Sequence, residues 1–477
     1  MQKAIATTVS GADEQTLVTC VLIALVLLTL LIAVIWPGVP FTIALCLVVA
    51  AYSYCKVDQF LYAVVFLLPL SPVIATGLPL HNISSIVHVS MFAGFFANQF
   101  ISGRSLREWF FREPLNRWSI LFVGIVLLCS VVLRPPTISS LRACSELVAG
   151  LCFFLTVGSW VRTVAQVKKI FYALLTAGIG VACFGFYQRI IDYYGDFYFW
   201  LYPKQAENLE PWTGRITSVL NYSNSLAGFL NLILPISLGL LLIPVSRRLR
   251  SIAIVTLACC TGALVLTASR GGFASFLAIS LLGATYVARQ PGSRKWLLIG
   301  GVLMAALALI LFFGLVRAPW VEEDQSAAMR LLFWGVAVTL FLRSPVVGVG
   351  YGNFRDLYSL PGIASGVFDV HNLYLQLLSE TGIIGLVSFC SLIVLVVRRC
   401  LCNLRGEGHD LRTIVNFAAM GAVVALLLHG FVDFLFIVSP QFTALFWLIL
   451  GLVVAADRWP KHRPYPRVTT ASAVLRP

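Results

Sequence analysis

The sequence predicts an all-α polytopic membrane protein, and three observations carry that expectation. Hydrophobic residues fill 59% of the 477 positions and charged residues only 11%, with a mean hydropathy of +0.91. A soluble domain of that composition would leave apolar surface in water. Apolar runs recur at about the 20 residues that cross a bilayer as a helix, whereas β-barrel segments are short and alternating. Finally, Lys and Arg gather in alternate short connections, as on the cytoplasmic side of membrane proteins.

About 12–14 transmembrane helices are expected, fourteen on the fullest count. The first, 16–36, follows a segment carrying Lys3, Asp13 and Glu14 rather than a basic leader, so it is expected to stay as an anchor. Next come 40–55, 59–76 and 82–101; Pro69, Pro72 and Pro79 interrupt the last two, which as an alternative form one broken or re-entrant element. Spans 118–134, 141–161 and 168–187 complete an N-terminal block, 1–187. After an outward loop, 188–218, four central spans occupy 219–315: 219–243, 251–268, 271–288 and 296–315. A large outward loop, 316–381, precedes C-terminal spans 382–397, 412–434 and 440–456, and residues 457–477 form a basic tail.

An even count puts both termini in the cytoplasm, together with Arg104, Arg107, Arg112, Arg117, Arg247, Arg248, Arg250, Arg398 and Arg399. The net charge of +14 is therefore mainly a topology signal spread over many loops, and no nucleic-acid partner is expected. Most of the twelve cysteines lie inside apolar spans and act as small hydrophobes; Cys400 and Cys402 lack a second metal-ligating pair.

Two outward loops are too long to be simple connections, and function is expected there. Loop 188–218 is aromatic, with Tyr193, Tyr194, Phe197, Tyr198, Phe199, Trp200 and Trp212, which suits an interfacial belt or a sugar platform. Loop 316–381 carries a helix-like run, 327–342, too short to span and expected to lie at the outer face. GVGYGNF follows it without a preceding strand, so it is not a nucleotide loop; it reads as a flexible turn or as backbone brought close to a ligand.

Ionisable residues gather at one level. Arg270 sits at the outer mouth of a tight hairpin, Arg330 and Arg343 flank the short helix, and Arg215 precedes the span at 219. Guanidinium groups facing one cavity suit a diphosphate, since they donate bidentately and stay charged; pairing with Glu322, Glu323, Asp324, Asp356 or Asp369 is the alternative. His371 stands where the large loop enters an apolar helix, and an imidazole there can take a proton from a hydroxyl near neutral pH. His429 and Asp433, four apart, read as a buried pair on one helix face, with support of a site as the alternative. The acidic run Glu322–Asp324 reads as a solvated turn, and no metal site is expected.

Three pieces resemble the membrane glycosyltransferases that include O-antigen ligases, O-antigen polymerases and bacterial O-oligosaccharyltransferases. They are His371-Asn372 followed by Gly382 and Gly385, TASRGG with Arg270, and the passage from Arg330 through Trp334 and Pro345 to GVGYGNF. Arg215, Asn221, Asn224 and Pro235 add weaker support, and the likeness covers about 210–456. The resemblance implies a GT-C-like fold in the bacterial inner membrane with its site in the periplasm. It implies transfer of a glycan from undecaprenyl diphosphate to a hydroxyl of lipid A-core, or of a growing glycan, among membrane lipids. By that carry-over His371 is the general base and Arg270 and Arg330 hold the diphosphate; the grouping of charges, not the resemblance, adds Arg215 and Arg343 as further diphosphate contacts. Asn372, Gly382 and Gly385 support the site. No cofactor, no divalent-ion requirement and inversion at the anomeric carbon are implied as well. A ligase is the first reading, a polymerase of O-antigen or exopolysaccharide the second; a permease or lipid flippase is the third, whose charges should line a midplane path instead.

Overall fold

A computed structural model describes residues 38–70, 83–102, 112–133, 135–196, 199, 214–220, 222–288, 325–358, 369–404, 410–435 and 440–459. The expected spans 16–36 and 296–315, the acidic run Glu322–Asp324, Asn221 and the tail beyond 459 lie outside these residues. Among the described residues every regular element is a helix. Eight helices among the described residues are long and apolar enough to cross a membrane, and Ser85–Ile101 and Pro440–Ala456 are shorter apolar helices. The chain is an all-α polytopic membrane protein.

α1, Gly38–Leu67, is divided at Lys56, whose φ of −143° and ψ of 55° are not helical. That break falls where the sequence puts a short turn between two spans. α2 covers Ile83–Ile101. α3, Pro114–Leu127, starts with Pro in its first turn, which gives up no intrahelical bond, and ends in a π turn at Leu128–Val132. In α4, Ile138–Trp160, and α5, Val164–Ile191, Thr137 and Thr163 cap the N-termini; Gln166 completes a reciprocal capping box with Thr163.

The centre of the bundle is α6, Ser223–Leu242, packed on α7, Arg247–Leu266, α8, Arg270–Ala288, and α12, Leu411–His429. Pro235 lies inside α6, and Gly421 of α12 fits under it: a Cβ there would stand 2.5 Å from the proline ring. Close approach at small residues is how membrane helices gain van der Waals contact, since burial from lipid yields little. Asn231, one turn before Pro235, donates to Gly272 O at 2.8 Å and ties the start of α8 to this core. α13, Pro440–Ala456, packs mainly on α4.

α9, Gln325–Arg343, is helical as the sequence suggests; it packs on α11, Leu373–Leu404, and on the short α10, Phe354–Leu357. α11 begins inside the expected large loop rather than after it. It breaks at Gly382 (φ 65°, ψ −169°), so a short segment, 373–381, leads into the long apolar part. The expected span 412–434 is shorter in the structure, because the helix closes at His429 with Gly430 as its cap.

Candidate functional site

Four segments converge at one end of the bundle: residues 369–376 entering α11, the turn 430–435 after α12, the hairpin between α7 and α8, and residues 214–220 and 222–224 before and at the start of α6. Asn372 does most to join the first two. Its Oδ1 caps α11 by accepting from Tyr374 N and Leu375 N, each at 3.0 Å, while its Nδ2 donates to Phe431 O at 3.2 Å. Leu373 N donates to Gly430 O at 2.7 Å, and the Tyr374 hydroxyl to Leu427 O at 2.8 Å. These bonds hold His371 in the left-handed region, at φ 52°, a conformation that costs a non-glycine residue about 1–3 kcal/mol and tends to accompany a site.

His371 Nδ1 stands 3.2 Å from Asp433 Oδ1. Asp433 also accepts from its neighbour Phe434 N at 2.8 Å and from Asn224 Nδ2 at 3.0 Å. Burial pushes the Asp433 carboxyl up, but the bond from His371, the charges of His371 and His429 and the Phe434 N–H outweigh burial and hold it at about 2. An ionised carboxylate only accepts, so Nδ1 is the donor and Nε2 carries the lone pair when the ring is neutral. The His371 side chain is 29% exposed and that of Asp433 5%, so the base is open and the group that orients it is shut away.

The chain of bonds continues. Asn224 Oδ1 accepts from Arg215 at 3.2 Å, and Arg215 Nε donates to Thr267 O at 2.9 Å. Arg215, Asn224, Asp433 and His371 thus form one hydrogen-bonded series, anchored on the α7–α8 hairpin at Thr267. Arg215, expected on the diphosphate, spends two donors on this series. Ala268 in the same hairpin has a positive φ of 49°.

Arg270 is exposed as the first residue of α8, beside Gly271, and a Cβ on Gly271 would lie 2.9 Å from the His429 ring. Arg330 of α9 acts electrostatically on the same His429, and its Nε is buried without a hydrogen-bond partner. Arg330 therefore reaches the histidine four residues before Asp433, and Arg270 precedes the glycine that the ring packs against. Arg343 is not brought there: it is exposed at the far end of α9, about 20 Å along the axis from Arg330 at 1.5 Å per residue.

Three expectations change. Asp433 lies in the turn beyond α12: its N–H donates to His429 O at 3.0 Å, but the two side chains do not bond each other; the carboxylate bonds His371 and Asn224, and both His429 ring nitrogens lack partners. The glycines of GVGYGNF approach the chain's own backbone rather than lying loose. A Cβ on Gly348 would stand 2.3 Å from Glu380 C, and one on Gly382 would stand 2.2 Å from Val346 O. Val349 N and Gly350 N donate across the same junction to Ser379 O and Glu380 O, at 3.0 and 2.8 Å. Gly385 is equally tight, one turn on, against Thr381. Lastly, Asp369 pairs with Arg355, an arginine that the sequence did not single out, through Nε at 2.8 Å and a second bond from the same guanidinium. Asp433 and Asn224 are the residues sequence reasoning undervalued. The only signals for them were an acidic residue just past a helix end and an Asn–x–x–Asn start to α6.

Residues 255–390 match the family model described as O-antigen ligase. That stretch runs from α7 into α11 and holds Arg270, Arg330, His371, Asn372, Gly382 and Gly385, while Arg215, Asn224 and Asp433 lie outside it. No curated protein matches the chain.

Proposed function

We propose, from the match of residues 255–390 to the family model described as O-antigen ligase, that the chain transfers a glycan from a lipid diphosphate, undecaprenyl diphosphate, to an acceptor hydroxyl at the periplasmic face of the inner membrane. The acceptor we assign is lipid A-core. The observation that carries the reading is the Asp433–His371 pair with its free face exposed, next to a turn that bears Arg270.

In the proposed reaction the acceptor oxygen forms a bond to the anomeric carbon from the side opposite the leaving group, and the configuration inverts. His371 Nε2 takes the hydroxyl proton as the bond to the diphosphate breaks, and the electron pair leaves with the diphosphate. Asp433 balances the imidazolium that results. Arg270 and Arg330 meet the charge that develops on the leaving oxygen with fixed positive charge, the effect that contributes most in many transfer reactions. Grouping of the charges at one end of the bundle favours this reading over a permease, whose ionisable groups would line a path through the midplane.

The test is glycan transfer by purified protein in lipid, together with the lipopolysaccharide profile of a deletion strain. His371→Ala should abolish transfer, a loss of at least ~10³-fold, without changing abundance. Transfer at the wild-type rate removes His371 as base. Lipid-linked polymer accumulating without capped lipid A-core supports the ligase, single-repeat capping indicates a polymerase, and an unchanged profile refutes the O-antigen assignment.

A further inference from the structure

Among the described residues at this end of the bundle, His429 is a histidine whose chemistry the proposed reaction leaves unused. It is 1% exposed, at the last position of α12, and neither ring nitrogen has a hydrogen-bond partner. Buried polar groups are nearly always satisfied, and an orphan in a folded protein calls for a reason such as a ligand contact.

Its surroundings name the ligand class. The ring packs against Gly271, where a Cβ would lie 2.9 Å from Cδ2 and 3.3 Å from Nε2, so a side chain there would displace it. Gly271 belongs to the first turn of the 19-residue α8, whose N-terminal end carries partial positive charge and aligned N–H groups. Arg270 opens that turn, and Arg330, with its own buried unpartnered Nε, reaches His429 electrostatically. The first turn of α8 and the Arg330 guanidinium therefore lie beside one imidazole, and Arg330 Nε and both ring nitrogens are buried without partners. The negative group on the other side, Asp433, is already engaged by His371, Asn224 and Phe434 N.

We propose that His429 is a donor-binding residue, whose imidazole N–H hydrogen-bonds a phosphate oxygen of the lipid diphosphate at the N-terminus of α8, between Arg270 and Arg330. This rests on the reading that the diphosphate binds at this turn. Because the ring is almost fully buried, binding requires the side chains around it to rearrange, and the anion drives this by satisfying the orphaned donors of His429 and Arg330 together. The arrangement also places the leaving group one helical turn from Asp433, the residue that orients the base.

The substitution that separates a ligand contact from packing is His429→Leu. If the imidazole only fills space, replacing orphaned nitrogens by an apolar side chain of similar size leaves function unchanged. If it binds phosphate, the variant melts at or above the wild-type temperature yet loses donor affinity. The probe is undecaprenyl diphosphate without sugar, added to purified protein in detergent and read as a shift in melting temperature. We expect a shift for wild type, loss of most of it for His429→Leu and Arg270→Ala, and partial retention for His429→Gln, which keeps an N–H donor. The KM for the lipid-linked donor should rise about 10-fold or more in His429→Leu. A full shift and unchanged KM in His429→Leu, alongside loss in Arg270→Ala, overturn the inference and leave the proposed function standing. No shift in wild type or any variant, with transfer intact, overturns the placement of the diphosphate itself.

Discussion

Asp433 Oδ1 accepts from His371 Nδ1 at 3.2 Å across 62 residues of sequence, joining the turn after α12 to the entry of α11. The bond has a chemical consequence, since it turns Nε2 of the exposed imidazole toward use as a base. It also has a mechanical one. His371 sits at φ 52°, and the bond is one of the contacts that hold it there.

Asp433→Asn should therefore be more damaging to rate than to folding. An amide can donate to Nδ1 and favour the opposite tautomer, which blocks Nε2; the corresponding change in a serine-protease triad lowers kcat about 10⁴-fold. Here kcat is expected to fall about 10²–10⁴-fold, with the donor KM within a factor of about three. Single-turnover transfer assays measure it, and a kcat near wild type would show that the carboxylate does not orient the base.

Acid stability offers a check on the same carboxylate. Its folded value of about 2 is below the ordinary 3.8, so it stabilises the fold above about pH 4, and that contribution disappears as pH falls through the folded value. Melting temperature recorded from neutral pH down to about 2 should decline less steeply in Asp433→Asn than in wild type. Parallel curves would mean that the carboxylate is not held low.

The junction between GVGYGNF and the α11 break predicts a purely structural pair of variants. Gly348→Ala and Gly382→Ala each add a Cβ within 2.4 Å of backbone atoms at a positive φ, and each should cost about 2–4 kcal/mol. Gly335→Ala, in α9 with open space around its Cβ, should cost nothing and is the control. Thermal melts of the three proteins in one detergent decide it; equal stability of Gly382→Ala and Gly335→Ala would contradict the packing described.

Much of this protein was legible without coordinates. Apolar runs and basic loops determine a helical membrane protein because a bilayer accepts little else, and α13, Pro440–Ala456, coincides with its expected span. The short helix α9 and the place of His371 at the entry of an apolar helix were visible too, the first from the length of an apolar run and the second from an imidazole at a boundary. What periodicity could not supply was where helices stop. The helix ending at His429 sends Asp433 into a turn, where its backbone N–H keeps the i, i+4 bond to His429 O while its carboxylate goes to a histidine 62 residues away.

Tertiary structure alone decided the partners. Asn224 lies 209 residues from Asp433, and Gly348 meets Glu380 backbone to backbone, contacts that leave no periodic trace because nothing local requires them. It likewise set Arg343 apart from Arg330 and engaged Arg215 with Thr267 and Asn224, although the sequence puts all of them at one outer level. Local patterns follow from each segment's own need to bury apolar surface and satisfy its backbone, and the sequence states those needs directly. Which polar groups then face one another depends on helix ends, breaks and packing, and those are settled only when the segments meet.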